Sequence, residues 1–271
     1  MKFIMFTKHL EGWDLQQIIG GLQAAGMEGA DLCTRAGYPV NPENVSTALP
    51  EAAKRFAAAG LAIPMITAPG DFSDPTLDYA EELYGACAEA GVGLVKLGYW
   101  HLGADEDYWT KLDEVRGQME GFAELSRRFG VKSCVHNHSG RSMGLNACAA
   151  MNIVRGFDPQ HVGVFADTGH LSIVGEPIAM ALDIVKEYLA IMAFKDLLRT
   201  RQDGESSWRT NVVPMGQGYA DWDETLATLR QLNFQGPISF HSEYSGESPE
   251  RVVELARQDV QLIRGKLDGG S

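Results

Sequence analysis

The segment Val162-Gly163-Val164-Phe165-Ala166-Asp167-Thr168-Gly169-His170 holds in miniature the pattern that decides the fold. Its first five residues are apolar or small with no polar alternation, which reads as a strand buried on both faces. The run then breaks into an acid, a hydroxyl, a glycine and an imidazole. Moving outward, the same order returns. Towards the N-terminus the short apolar runs are Val131–Val135, Gly93–Leu97, Leu61–Ile66, Gly29–Cys33 and Phe3–Phe6; towards the C-terminus they are Leu189–Phe194 and Pro237–Phe240. Longer amphipathic segments between them predict helices at Asp14–Ala25, Pro42–Ala59, Pro75–Ala90, Asp107–Phe129, Asn146–Val154, Glu176–Glu187, Asp223–Leu232 and Pro249–Lys266. Asp14, Asn41, Asp74 and Ser248 stand at the expected starts, and Gly26, Gly60, Gly91 and Gly130 just past expected ends. That is the chemistry N-caps and left-handed C-caps require.

Eight strands alternating with eight helices in 271 residues predict an α/β fold, a (β/α)8 TIM barrel, with residues 1–271 forming one domain. The rival, an open doubly wound sheet, would carry a glycine-rich phosphate loop after its first strand, and Thr7–Asp14 is not one. Leu197–Tyr219 is too long for a plain connection and is expected to form a loop over the functional face. A formal charge of −13 argues against nucleic acid and anionic membrane surfaces as partners. Four dispersed cysteines exclude a disulfide framework and a thiolate zinc site. The first apolar run stops at Lys8 and His9, short of a signal-peptide core, and no stretch reaches membrane-spanning length, so the expected location is cytoplasmic.

Functional groups of such a barrel come from the C-terminal ends of its strands. His9 follows strand one and Arg35 strand two; Lys96, Trp100 and His101 belong to the end of strand four. His136 and His138 end strand five, Asp167 and His170 strand six, Lys195 and Asp196 strand seven, His241 and Glu243 strand eight. Of seven histidines only His161 falls at the opposite end of a strand, a bias that random placement does not explain. Alternation puts His136 with His138, Ala193 with Lys195, and His241 with Glu243 on common sides. If those pairs and Asp167 face inward, three imidazoles, two carboxylates and an ammonium crowd one rim. Such groups must ligate something, pair together or meet a polar ligand, since burying them unpaired is costly. Taken singly, each has a structural alternative: His9 and His101 as solvated loop residues, Lys195–Asp196 as an ion pair, His138 held by a carbonyl, Asp167 as a helix cap. Their joint position points to a site. Phe72, Tyr99, Trp100, Trp208, Trp222 and Tyr244 cluster in the same places, and flat apolar faces suit the C–H faces of a sugar.

The chain resembles the sugar phosphate isomerase/epimerase family of xylose-isomerase-like barrels, which also includes inosose dehydratases and ketose 3-epimerases. The pieces carrying the resemblance are Phe6-Thr7-Lys8-His9, Gly29-Ala30-Asp31-Leu32, His136-Asn137-His138-Ser139-Gly140, Phe165 to His170 and Phe194-Lys195-Asp196. Gly216-Gln217-Gly218 before Asp221-Trp222, and Gly236-Pro237-Ile238-Ser239 leading to His241-Ser242-Glu243-Tyr244, complete the set in order. The resemblance implies one divalent cation held by Glu, Asp, His and Glu on strands five to eight. Here Asp167 matches, while the other positions hold His136, Ala193 and His241, with Glu243 two residues on.

Two readings follow. In the favoured one the metal site is remodelled to His136, Asp167 and His241, a two-His-one-carboxylate set suited to Mn, Co, Fe or Zn. In the other the metal is lost. The expected chemistry is proton abstraction next to a carbonyl of a small sugar, keto-sugar or polyol, through an enediolate, giving isomerisation or epimerisation. Glu243, His138 and Lys195 are the expected proton-transfer residues, and Lys8, Arg35, Lys96, Trp100, His170 and Asp196 the expected substrate contacts. A lyase acting on an oxidised sugar and a non-catalytic sugar-binding barrel are the alternatives. A zinc DNA-repair nuclease is disfavoured, since it needs a richer metal cluster and a basic face. Barrels of this family often self-associate, but no surface stripe marks an interface, so homo-oligomerisation stays open.

Overall fold

The computed structural model describes residues 1–201, 204 and 207–269. Eight parallel strands close into a barrel: β1 (Lys2–Phe6), β2 (Gly29–Cys33), β3 (Ala62–Thr67), β4 (Leu94–Lys96), β5 (Lys132–His136), β6 (Val162–Asp167), β7 (Leu189–Phe194) and, after an excursion, β10 (Pro237–Phe240), which pairs with both β7 and β1. The (β/α)8 TIM barrel expected from the repeating pattern is therefore present. Around it run α1 (Leu15–Ala25), α2 (Val45–Ala58), α3 (Ala80–Ala90), α4 (Tyr108–Phe129), α5 (Ala147–Val154), α6 (Thr168–Ile173), α7 (Ile178–Val185), α8 (Trp222–Gln231) and α9 (Pro249–Asp268).

Local chemistry accounts for the helix ends. Asp14 accepts from the Gln17 amide while the Gln17 side chain returns the bond, a capping box that starts α1. Ser248 caps α9 with Pro249 at its first position. Gly26, Gly60, Gly91 and Gly130 all take the expected left-handed conformation. Two starts fall later than predicted. Asn41 and Asp74 close short turns instead, Asp74 accepting from Thr76 N at 2.8 Å, so that α2 begins at Val45 and α3 at Ala80.

The main core lies between barrel and helices, and a second, smaller one fills the barrel with Ile4, Met65, Cys134, Phe165, Ile191 and Ala193. Two register shifts, between Gly29 and Asp31 and between Val164 and Phe165, adjust which side chains point inward. At the first, a β-carbon on Gly29 would sit 2.1 Å from the Ala62 carbonyl oxygen, so only glycine allows β2 and β3 to approach.

The expected loop at Leu197–Tyr219 is largely an antiparallel hairpin, β8 (Asp196–Arg201) with β9 (Trp208–Val213). β9 is mostly exposed and β8 is buried only at Asp196 and Leu197, so neither carries the buried apolar run that marks the barrel strands. No helix among the described residues is long and apolar enough to cross a membrane.

Candidate active site

The C-terminal rim of the barrel opens into a cleft of about 430 Å³ walled by residues at or just past the ends of β1, β2, β3, β4, β5, β7 and β10, by His170 of α6 and by the β8–β9 hairpin. At its floor lie three buried donors. His136 ends β5, Asp167 ends β6 and His241 follows β10. Each offers one ligand atom, all within 4.8 Å of one another. His136 Nε2 is 3.3 Å and His241 Nδ1 3.8 Å from Asp167 Oδ2.

The groups behind these donors orient them. Asp167 Oδ1 accepts from the His170 amide at the start of α6, which leaves Oδ2 aimed at the two imidazoles. Asn137 Oδ1 accepts from the Asp167 backbone N–H at 2.6 Å. His136 Nδ1 meets the Tyr99 hydroxyl at 2.8 Å, a group that can serve either tautomer. His241 Nε2 faces Asp31 Oδ2 at 3.5 Å, too long for a good hydrogen bond, and both His241 nitrogens lack one among the described residues. Asp31 is fully buried inside the barrel, where Thr67 Oγ1 and Ser239 Oγ donate to it at 2.7 and 2.9 Å. Converging N, N and O donors, a second polar group behind each ring and an orphaned imidazole fit a divalent cation.

Above the donors stand the charged groups. Lys195 Nζ lies 2.5 Å from Glu243 Oε1 and 3.6 Å from Asp167 Oδ2, and Lys8 Nζ holds Glu243 Oε2 at 2.7 Å. Burial would raise the Asp167 and Glu243 carboxyls, but the Lys195 ammonium and the nearby imidazoles outweigh it and hold both well below the usual carboxylate range. Burial would likewise lower Lys195, yet the two carboxylates keep its pKa raised. Burial pulls His136 down to about 3 against the opposing pull of Asp167. His241 goes the other way: contacts with Asp31 and Glu243 overcome burial and raise it.

Burial also keeps His138 and His170 neutral. His138 donates Nδ1–H to the Ser139 carbonyl at 2.8 Å, so its lone pair sits on Nε2. The Lys195 ammonium approaches His170 Nε2 at 3.4 Å, so His170 donates from Nδ1 to Ser139 Oγ. The two rings lie 3.9 Å apart.

The cleft thus brings together Glu243, His138, Lys195, Lys8, Arg35, Lys96, His170, His136 and His241, with Asp167 directly behind. It does not include Trp100 or Asp196. The Trp100 indole donates to Ser73 O and Gln118 Oε1, packing under α4. Asp196 points away from Lys195, as neighbouring strand residues must, so the two form no ion pair. Its carboxylate accepts from the Gly216, Gly218 and Ala220 amides and from Trp222 Nε1. It anchors the hairpin's return rather than a ligand. Asp31, Asn137 and Ser139 were not among the expected site residues, and of the six aromatics expected beside a sugar only Tyr99 lines the cleft among the described residues. Asp31 and Asn137 lie within quoted motifs, but nothing local shows that an Asp on β2 reaches a histidine beyond β10.

The closed (β/α)8 barrel with polar groups gathered at its C-terminal rim is the architecture of xylose-isomerase-like barrels, here with a His-Asp-His donor set. The chain belongs to that family: the model of the xylose isomerase-like TIM barrel matches residues 21–265. It is 21% identical to an inosose dehydratase of Lactiplantibacillus plantarum, over 92% of this chain and 88% of that protein. Its fold matches that of the IolI protein with a bound zinc atom, with a TM-score of 0.78, 17% identity and coverage of 98% and 99% of the two chains. It also matches D-psicose 3-epimerase of Clostridium cellulolyticum H10 in complex with D-tagatose, with a TM-score of 0.75, 15% identity and the same coverages.

Proposed function

We propose that the protein is a cytoplasmic enzyme that removes a proton next to the carbonyl of a small sugar, giving an enediolate that is reprotonated as an isomer or epimer. The observation that carries this reading is the cleft itself. A neutral imidazole with its lone pair on Nε2 (His138), an ionised carboxylate (Glu243) and a buried ammonium (Lys195) surround the converging donors of His136, Asp167 and His241. A divalent cation on those three donors would polarise the substrate carbonyl. His138 Nε2 accepts the proton, since its ring is held neutral and its tautomer fixed. Lys195 stands beside both carboxylates as the hydrogen-bond donor for the enediolate oxygen. Glu243, held ionised, positions Lys8 and Lys195, and the enediolate takes its proton back from the imidazolium formed on His138 or from the Lys195 ammonium. The sugar-acting proteins the chain resembles, a dehydratase and an epimerase, support the reading.

The experiment is solvent exchange. Protein supplied with Mn²⁺ is incubated with D-fructose, D-tagatose, D-psicose and the keto acid D-fructuronate in D2O, and loss of the C–H signal next to the carbonyl is followed by NMR. Exchange that disappears in His138→Gln, together with stoichiometric Mn²⁺ that disappears in Asp167→Ala, is the expected result. Metal binding without exchange of any carbohydrate would leave only a binding barrel. β-Elimination is the second reading, favoured by the Lys195–His170 contact, which sets an ammonium beside an imidazole as a proton donor for a leaving hydroxyl. Release of water from a polyol-derived ketone distinguishes it.

A further inference from the structure

Among the described residues four cations line the cleft, and only two of them form ion pairs. Lys8 and Lys195 pair with Glu243, and Lys195 also with Asp167. Lys96, at the end of β4, is 2% exposed, and its Nζ has no hydrogen-bond partner among the described residues. It lies 3.5 Å above the Tyr99 ring, a contact that offsets part of the cost of burial but is no ion pair. Arg35, just past β2, has a buried Nε with no acceptor and rests its guanidinium over the Phe6 ring. Both groups face the same cleft, flanking Thr67 at the end of β3.

An unpaired buried cation is unfavourable, and a second beside it makes both worse. Arg35 is, after burial, the largest influence lowering the Lys96 pKa. The chain carries a formal charge of −13, so acids are plentiful, yet among the described residues neither of these two has a carboxylate at ion-pair distance, Asp31 and Glu243 acting on Lys96 only from further away. An anion entering the cleft would relieve both at once.

We propose that Arg35 and Lys96 form a subsite for a substrate carboxylate, so that the sugar processed here is a sugar acid rather than a neutral ketose. The proposal rests on the reading of the cleft as a sugar site and names the class of sugar. A guanidinium fork with one ammonium matches a planar oxyanion of single charge. Phosphate subsites of such barrels are built after strands seven and eight with a helix N-terminus, whereas these cations stand beyond the second and fourth strands. Tyr99 ties the subsite to the donor set. Its ring lies under Lys96 and its hydroxyl on His136, so carboxylate and reacting carbonyl belong to one short carbon chain.

Calorimetric titration with D-gluconate, D-sorbitol and D-sorbitol 1-phosphate tests this, because the three share a carbon skeleton and differ only in the group at C1. Wild type should bind gluconate at least about tenfold more tightly than sorbitol. Lys96→Met and Arg35→Gln, checked for folding by circular dichroism, should each remove that preference. Equal affinities, a preference that survives both variants, or no binding of any probe overturns the proposal. Tighter binding of the phosphate than of gluconate overturns the carboxylate assignment in favour of a phosphorylated sugar. C–H exchange of neutral ketoses without any gluconate preference refutes the subsite and leaves the enediolate reading standing. Gluconate preference without exchange of any sugar does the reverse.

Discussion

Replacing Lys96 with Met should make the protein more stable, by an amount that shrinks as pH rises. The Lys96 amine titrates near about 7 in the fold, chiefly because of burial, against 10.5 in an unperturbed lysine. At about 1.4 kcal/mol for each tenfold, that interval corresponds to about 5 kcal/mol of folding free energy forgone at neutral pH. Met keeps the apolar stem, and its loss of the contact with the Tyr99 ring gives back roughly 0.5–2 kcal/mol. A net gain of about 3–4.5 kcal/mol at pH 7 follows. The pH dependence has a definite sign. Between pH 7 and 10.5 the unfolded chain holds the proton and the folded chain does not, so wild-type stability climbs with pH through that window. The advantage of the variant is therefore constant below pH 7 and largely gone by about pH 10. Around the amine, Arg35 adds to the lowering, while Asp31, Glu243 and Cys33 oppose it. Urea unfolding of both proteins at pH 6.5, 8 and 9.5 measures the difference. A variant no more stable than wild type at pH 7, or a difference independent of pH, refutes the reasoning. Coupled to lost carboxylate binding, the gain would show a stability cost carried for function.

Other outcomes follow from the contacts that hold the site. Asp196→Ala strands four N–H donors in the hairpin's return and should cost about 4 kcal/mol in urea unfolding; a loss under about 1 kcal/mol would mean another contact holds that segment. Gly218→Ala probes the same anchor from the other side, since its β-carbon would lie 2.1 Å from Asp196 Oδ1, and should cost about 2 kcal/mol or more. Asp31→Asn weakens the polar support behind His241 and should reduce Mn²⁺ affinity by roughly 10–100-fold in a calorimetric titration, with unchanged affinity counting against the orienting role.

Much of the fold is legible in the chain because its signals are local. Buried parallel strands read as short apolar runs, and the capping residues at Asp14, Ser248, Gly26 and Gly130 act within a turn of themselves. The hairpin was hidden for the opposite reason: a solvated two-stranded sheet has little apolar surface to pattern. Placement of polar residues at strand ends located the site, since the barrel gathers those ends at one rim. Asp196 shows the limit of position alone. It stands beside Lys195 in sequence, but side-chain alternation sends it outward to the hairpin while Lys195 turns in to Glu243.

The sequence by itself determined the repeating unit, the closed eight-stranded architecture and the identity of the polar groups at its rim. Barrel closure decided which of them meet. Lys8 holds Glu243 across 235 residues, and Ser239 donates to Asp31 across 208. Such pairs depend on the register between β1, β2 and β10, which sums many weak packing choices along the whole chain. The same closure leaves Arg35 and Lys96 facing one cleft with no ion-pair partner for either among the described residues, a juxtaposition written in no single segment.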